Sequence, residues 1–157
     1  ATGLRGTTVI ALTTIGFGVA LWLADARGRR ERDIRSIGVR DALLIGIAQA
    51  LALVPGTSRS GVTMTAGLML GLDRQAAARF SFLMAVPVIL LATGLETLGL
   101  LGAGGPVDWA GLALVTVLSA VSAWLCIHFF LRLLDRIGMA PFALYRLALG
   151  AVLLLAF

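Results

Sequence analysis

Spanning the ~30 Å hydrocarbon core of a bilayer takes about 20 residues of helix, and this chain offers four apolar stretches of that length. They are Leu4 to Ala24, Gln75 to Leu101, Trp109 to Leu131 and Gly138 to Phe157. Only 13% of the residues are charged and 59% are hydrophobic, against about 25% charged in a soluble domain. A water-soluble globule and a disordered tail are both excluded, the latter because it would have to be poor in large apolar residues. The expected fold class is an all-α integral membrane protein with about four transmembrane helices. Pro87 removes one backbone donor from the second span, which is therefore expected to kink. Trp22 and Trp109 stand close to span ends, where interfacial aromatics belong.

The chain's 13 basic residues give a net charge of +5, and all of them are arginine. In a soluble chain that excess would suggest nucleic acid; here its position argues against it. Arg27, Arg29, Arg30, Arg32, Arg35 and Arg40 fall between two apolar stretches, where the positive-inside rule places cytoplasmic charge. Residues 25–41 are thus read as a cytoplasmic or interfacial segment. Ile34, Ile37 and Val39 allow it to lie in the membrane surface, and a solvated loop fits equally well. The chain has one cysteine, Cys126, so no intramolecular disulfide can form. It starts without Met, and without a basic region followed by a small-residue cleavage site. The expectation is a start inside a longer gene product.

If the arginine-rich segment is cytoplasmic, Arg74, Arg79, Arg132 and Arg136 can share its face only if residues 42–72 enter and leave on one side. The spans 75–101 and 109–131 then form a hairpin whose turn, Gly102 to Asp108, lies outside. Residues 42–72 hold two short apolar stretches, Ala42 to Val54 and Val62 to Leu72, separated by Pro55-Gly56-Thr57-Ser58-Arg59-Ser60-Gly61. As helices these would be about 20 Å and 16 Å long, too short to cross but long enough to pass the midplane. A re-entrant helical hairpin with its loop at 55–61 follows. The competing reading, one broken span running straight through, strands Arg74 and Arg79 on the far side.

Irregular backbone at membrane depth is tolerated only where protein or a wet cavity satisfies its amides, and Arg59 there costs about 2.5–3.5 kcal/mol on insertion scales. A bound anion would offset that cost. Pro55 ends the first half-helix, Gly56 permits a turn closed to other residues, and Ser58 or Ser60 is suited to cap the second. Loop amides, the hydroxyls of Thr57, Ser58 and Ser60, and the Arg59 guanidinium would then converge. Phosphate fits best, because arginine offers bidentate donors that match its oxygens. A tight hairpin tip whose arginine pairs for packing is the plainer alternative.

The segments ALALVPGTSRSG and GLMLGLDRQAAARFSFLMAVP resemble the second signature region of the bacitracin-resistance type of undecaprenyl-diphosphate phosphatase. The resemblance covers essentially all of the 157 residues. It implies a multi-pass enzyme of the bacterial inner (cytoplasmic) membrane that hydrolyses undecaprenyl diphosphate to the monophosphate carrier of peptidoglycan synthesis. It also implies half of an inverted-repeat architecture. By resemblance Arg59 holds the diphosphate, and Gly56, Thr57, Ser58, Ser60 and Gly61 line the phosphate pocket. Arg59 and Ser58 are the candidate catalytic residues, Ser58 as a phosphate ligand before a nucleophile.

The family pattern also includes an earlier repeat with an E-x-x-x-E motif, a serine-rich turn and a histidine, expected to bind a divalent cation, Mg or Ca. No E-x-x-x-E occurs here, so the cation's ligands are expected outside this chain, and none of its residues is taken as a metal ligand. Gln49, six residues before Pro55, loosely occupies the place of one glutamate and joins the substrate-binding set, although an amide cannot act as a base. The chain resembles the C-terminal three-fifths of the enzyme, inactive alone, with the N-terminal repeat as its missing partner, membrane lipids around it and a homodimer left open.

Other residues are expected to be structural. His128 and Cys126 point to different helix faces and make no metal site. Glu96 snorkels, Tyr145 and Arg146 anchor an interface, and Gly67-x-x-x-Gly71 fits close helix packing. The phosphatidic-acid type of phosphatase follows its Ser-Arg pair, after five intervening residues, with a histidine; Thr65 stands at that place. The non-enzymatic alternative is a transporter or flippase that binds a polyprenyl phosphate or other anion at a broken-helix site.

Overall fold

In the computed structural model, which describes residues 6–102 and 107–156, each long apolar stretch is a helix. The helices are α1 (Thr7–Arg27), α2 (Val39–Gln49), α3 (Arg59–Met69), α4 (Arg74–Gly102), α5 (Trp109–Ile137) and α6 (Ala140–Ala156). Single 3-10 turns cover Ile34–Ser36 and Ala50–Leu53. Among the described residues three helices, α1, α4 and α5, are long and apolar enough to cross a membrane. The fourth expected span is the shorter α6, whose 17 residues reach about 25 Å. Pro87 lies inside α4, which continues through it. Leu4, Phe157 and most of the expected outer turn fall outside the described residues.

Two of the boundaries that differ from expectation have evident local reasons. Helix α2 starts at Val39, ahead of the apolar run, because Asp41 in its first turn accepts the Gly38 amide at 3.1 Å, half of a capping box. Helix α5 runs past Leu131 to Ile137 and stops where Gly138 takes a φ of +71°. Its last two turns carry Arg132, Asp135 and Arg136, and Asp135 accepts the Gln75 amide of α4 at 2.5 Å.

One end of the bundle gathers the charged groups. Asp25 near the end of α1 receives Arg74 Nε at 2.6 Å and Nη2 at 2.9 Å, and the Met139 amide donates to it at 3.3 Å. Arg32 pairs with Asp41 at 2.5 Å and donates to Leu70 O at 3.0 Å. The Glu31 and Arg32 amides both donate to Gly71 O, at 3.2 and 3.1 Å, and Asp73 N donates to Arg32 O at 2.9 Å. The end of α1, the start of α2, the end of α3 and the start of α4 therefore meet at this end. The arginine-rich segment is backbone-paired to the turn after α3, with Ile34 and Ile37 partly buried against the core and most of its other residues exposed.

The α2–α3 pair rests against α1 and α4. Buried Ile45, Leu68, Leu72, Leu134 and Met139 form its core. Helices in lipid gain little from apolar burial and associate through close packing and hydrogen bonds; both are present. A Cβ on Gly67 would sit 3.1 Å from Ala77 Cβ, and buried Thr63 and Ser81 share a 2.7 Å hydroxyl bond between α3 and α4. Gly71, paired with Gly67 in the sequence reading, acts differently: it ends α3 with a φ of +87°. Gly18 lets α6 come close to α1: a Cβ there would lie 3.2 Å from Arg146 Cβ. The second half of α4 and nearly all of α5 present exposed apolar side chains.

Candidate functional site

The loop between α2 and α3 is built by its own residues. Val54 is extended before Pro55, as a residue preceding proline must be. Thr57 turns its hydroxyl back toward Leu51 O, at 3.0 Å, and Val54 O, with one proton to give. It thereby closes off carbonyls at the end of the first half-helix. Gly56 adopts a φ of +90°, and a Cβ there would overlap the Thr13 hydroxyl and lie 2.5 Å from Ile10 O. Only glycine fits, both for its backbone and for its contact with α1.

Three side chains from two other helices approach the loop carbonyls. The Thr13 hydroxyl is 2.7 Å from Pro55 O and the Thr14 hydroxyl 3.1 Å from Gly56 O, though each is also in reach of a carbonyl of its own helix. Arg146 Nη2 donates to Gly56 O at 3.1 Å.

Ser58 caps α3, its Oγ accepting Gly61 N at 3.2 Å and lying 3.1 Å from Ser60 Oγ. Val62 N makes the first backbone bond, to Ser58 O at 2.9 Å. The Arg59 and Ser60 amides are left without an intrahelical acceptor, as at any helix start. Arg59 Nη1 reaches Gln49 Oε1 at 3.4 Å, a weak bond at that length that spends one of the five guanidinium donors.

Ser58, Ser60 and Gly61 open onto a cavity of about 450 Å³ between α1, α3, α4, α5 and α6. Arg146 completes its polar end; most of the remaining wall is apolar, with Met64, Phe82, Phe130 and Phe142, and Cys126 and Tyr145 also line it. Of the residues expected at the site, Gly56, Ser58, Arg59, Ser60, Gly61 and Gln49 cluster at this loop. Thr57 is in the loop but directs its hydroxyl to the preceding turn. Arg59 and Gln49 pair with each other and are not among the cavity's lining residues.

The family model described as "Bacitracin resistance protein BacA" matches residues 1–152. The chain belongs to this family. It is 61% identical over 157 residues to undecaprenyl-diphosphatase 2 of Stutzerimonas stutzeri (strain A1501), covering 98% of this chain and 58% of that protein. To the undecaprenyl-diphosphatase of Nitrosococcus oceani it is 57% identical over 154 residues, 98% of this chain and 58% of the relative. To that of Alteromonas mediterranea it is 59% identical over 150 residues, 96% and 56%. The chain thus spans a little under three-fifths of the length of these relatives.

One residue of this BacA-family chain was misplaced by sequence reasoning. Arg146, expected to anchor an interface, instead points inward from α6 to the Gly56 carbonyl and the cavity. The signal that could have found it is the rule that an ionisable residue inside a span is a functional suspect. Its neighbour Tyr145 is exposed. His128 is exposed and stacks on Trp124 with ring centroids 5.7 Å apart, and Glu96 is exposed on α4.

The donors at the BacA loop are hydroxyls, helix-start amides and guanidinium groups, a set suited to an anion. They do not fit a resident divalent cation, which takes oxygen ligands rich in carboxylate. Among the described residues no three His, Cys, Asp or Glu side chains are grouped to hold a metal ion.

Proposed function

We propose that this BacA-family chain supplies one half of the active site of a membrane phosphatase that hydrolyses undecaprenyl diphosphate to undecaprenyl phosphate and phosphate, in the lipid-carrier cycle of peptidoglycan synthesis. The observation that carries this reading is the polar loop opening onto an otherwise apolar cavity. A ligand suited to both ends has an anionic head and a hydrocarbon tail. The names of the relatives point to the same substrate.

In this reading α1, α4, α5 and α6 cross the bacterial cytoplasmic membrane, and α2 with α3 forms a re-entrant hairpin. The support is electrostatic: the outer ends of α2 and α3 meet the arginine-rich segment at one end of the bundle, which the positive-inside rule assigns to the cytoplasm. The shorter α6 is accommodated by local thinning or by snorkelling of flanking residues. The segment of the relatives beyond this chain would complete the site, and a second copy of the protein is a further candidate partner.

The chemistry assigned to this chain is binding and charge stabilisation. The hydroxyls of Ser58 and Ser60 and the amides at the start of α3 donate to phosphate oxygens. Arg59, released from its weak bond to Gln49, donates a fork to the same group. Ser58 acts as a ligand, since the partners of its hydroxyl, Ser60 Oγ and Gly61 N, are no base. Residues outside this chain would hold the cation that the resemblance implies, which would supply charge neutralisation at the phosphate.

Phosphate release by the purified full-length protein tests this. Wild type should liberate phosphate from undecaprenyl diphosphate, and Arg59→Ala should lose at least about a hundredfold in kcat/KM, in the range seen when one preorganised donor is removed. A wild type that moves the lipid between leaflets without releasing phosphate would make the protein a flippase.

A further inference from the structure

We infer that Arg146 is a second phosphate-binding arginine of this site, holding the lipid head group where the polar loop meets the apolar cavity. The inference rests on the phosphatase reading and extends it to a residue 90 positions from the loop in sequence.

Donor accounting leads to it. A guanidinium has five N–H donors, and one of Arg146's is spent, on Gly56 O at 3.1 Å. Among the described residues its Nε is buried with no hydrogen-bond partner. The two ion pairs found among them join Arg32 to Asp41 and Arg74 to Asp25, so no described carboxylate balances Arg146. A half-buried cation with unspent donors is costly unless an anion completes it.

Position says which anion. Arg146 shares the polar end of the cavity with Ser58 and Ser60, whose hydroxyls lie 3.1 Å apart. Gly61 makes room for it, since a Cβ there would lie 3.3 Å from Nη1. The cavity then continues between Phe82, Phe130 and Phe142. An anion whose tail is hydrocarbon fits this arrangement better than a free one. Arg59, tied to Gln49, is not among the cavity's lining residues, so Arg146 is the guanidinium that faces the cavity.

The test uses the full-length protein with Arg146→Gln and Arg146→Lys. Glutamine keeps a donor for Gly56 O but removes the charge. Melting without ligand should stay within a few degrees of wild type for Arg146→Gln, while KM for undecaprenyl diphosphate should rise at least tenfold. Stabilisation by inorganic pyrophosphate should be present in wild type and lost in Arg146→Gln, and Arg146→Lys should recover part of both. An unchanged KM, or a lowered melting point and kcat with KM and the pyrophosphate shift intact, would leave Arg146 a brace and overturn the inference. If Arg146→Gln does not fold, Arg146→Lys decides: it should raise KM at least threefold, and an unchanged KM overturns the inference. A wild type that releases no phosphate sinks the phosphatase reading instead, and the pyrophosphate shift then judges Arg146 alone.

Discussion

The Thr13 hydroxyl of α1 lies 2.7 Å from the carbonyl oxygen of Pro55, beside a glycine whose missing side chain makes the approach possible. Thr13 stands 14 residues before Arg27, the end of α1, about 21 Å along the helix axis. The loop is therefore held deep in the bundle, away from the charged end where α2 begins and α3 finishes.

Gly56→Ala should disrupt this contact. A φ of +90° costs a non-glycine residue about 1–3 kcal/mol, and the added methyl would also collide with Thr13 and Ile10. The melting temperature of the full-length protein should fall by several degrees with loss of phosphate release. Gly16→Ala, where nothing lies within 4 Å of the added carbon, should leave both unchanged.

Arg74→Met should destabilise the charged end. It strands the Asp25 carboxylate, whose side chain is 6% exposed, with only the Met139 amide as partner. Arg74 is more exposed, at 28%, so the loss should be near the low end for a broken buried pair, about 3 kcal/mol. In a double-mutant cycle of melting temperatures, adding Asp25→Asn to Arg74→Met should recover part of the loss. Equal additive losses would show that the pair does not couple.

Acid should loosen the arginine-rich segment through Asp41. The hydrogen bond from Arg32, then that from Gly38, holds the Asp41 carboxyl below its ordinary value. A group depressed in the folded state adds stability above its unfolded pKa, about 3.9, and that stability fades as pH falls through the lower, folded value. The pair is partly open to solvent, so the effect should be small and screened by salt. Melting curves from pH 6 down to pH 3 should show an acid-dependent loss at low salt that Asp41→Asn lacks.

Single cysteines in a background without Cys126 should report the topology. Positions 35 and 75 should be labelled from the same membrane face, and position 107 from the other. Labelling of 35 and 75 from opposite faces would replace the re-entrant hairpin with a through-going span.

Much of this was legible in the sequence, because length and apolarity dictate helices and the Pro55–Gly61 composition dictates a turn. The helix start at Ser58 and the glycine-only conformation at Gly56 follow from local chemistry and emerged as expected. Helix ends were less legible where polar residues continue a helix: the span was expected to end at Leu131, ahead of Arg132 and Arg136, yet α5 continues to Ile137, with Asp135 bonded to Gln75. Thr57 was expected to face the pocket like its neighbours, but its hydroxyl is in reach of Leu51 O and Val54 O. The contact of Arg146 with Gly56 O was missed because the two are 90 residues apart; its place within a span marks it as a suspect but does not name the partner.

The central claim, that the Ser58–Gly61 end of the cavity receives a lipid diphosphate, is tested most directly by substrate protection. Cys126 also lines the cavity, so the full-length protein should carry Cys126→Ala together with Ser60→Cys. A small thiol reagent should modify position 60 readily in the unliganded protein and at least tenfold more slowly with saturating undecaprenyl diphosphate. Modification at the same rate with and without the lipid would contradict the claim.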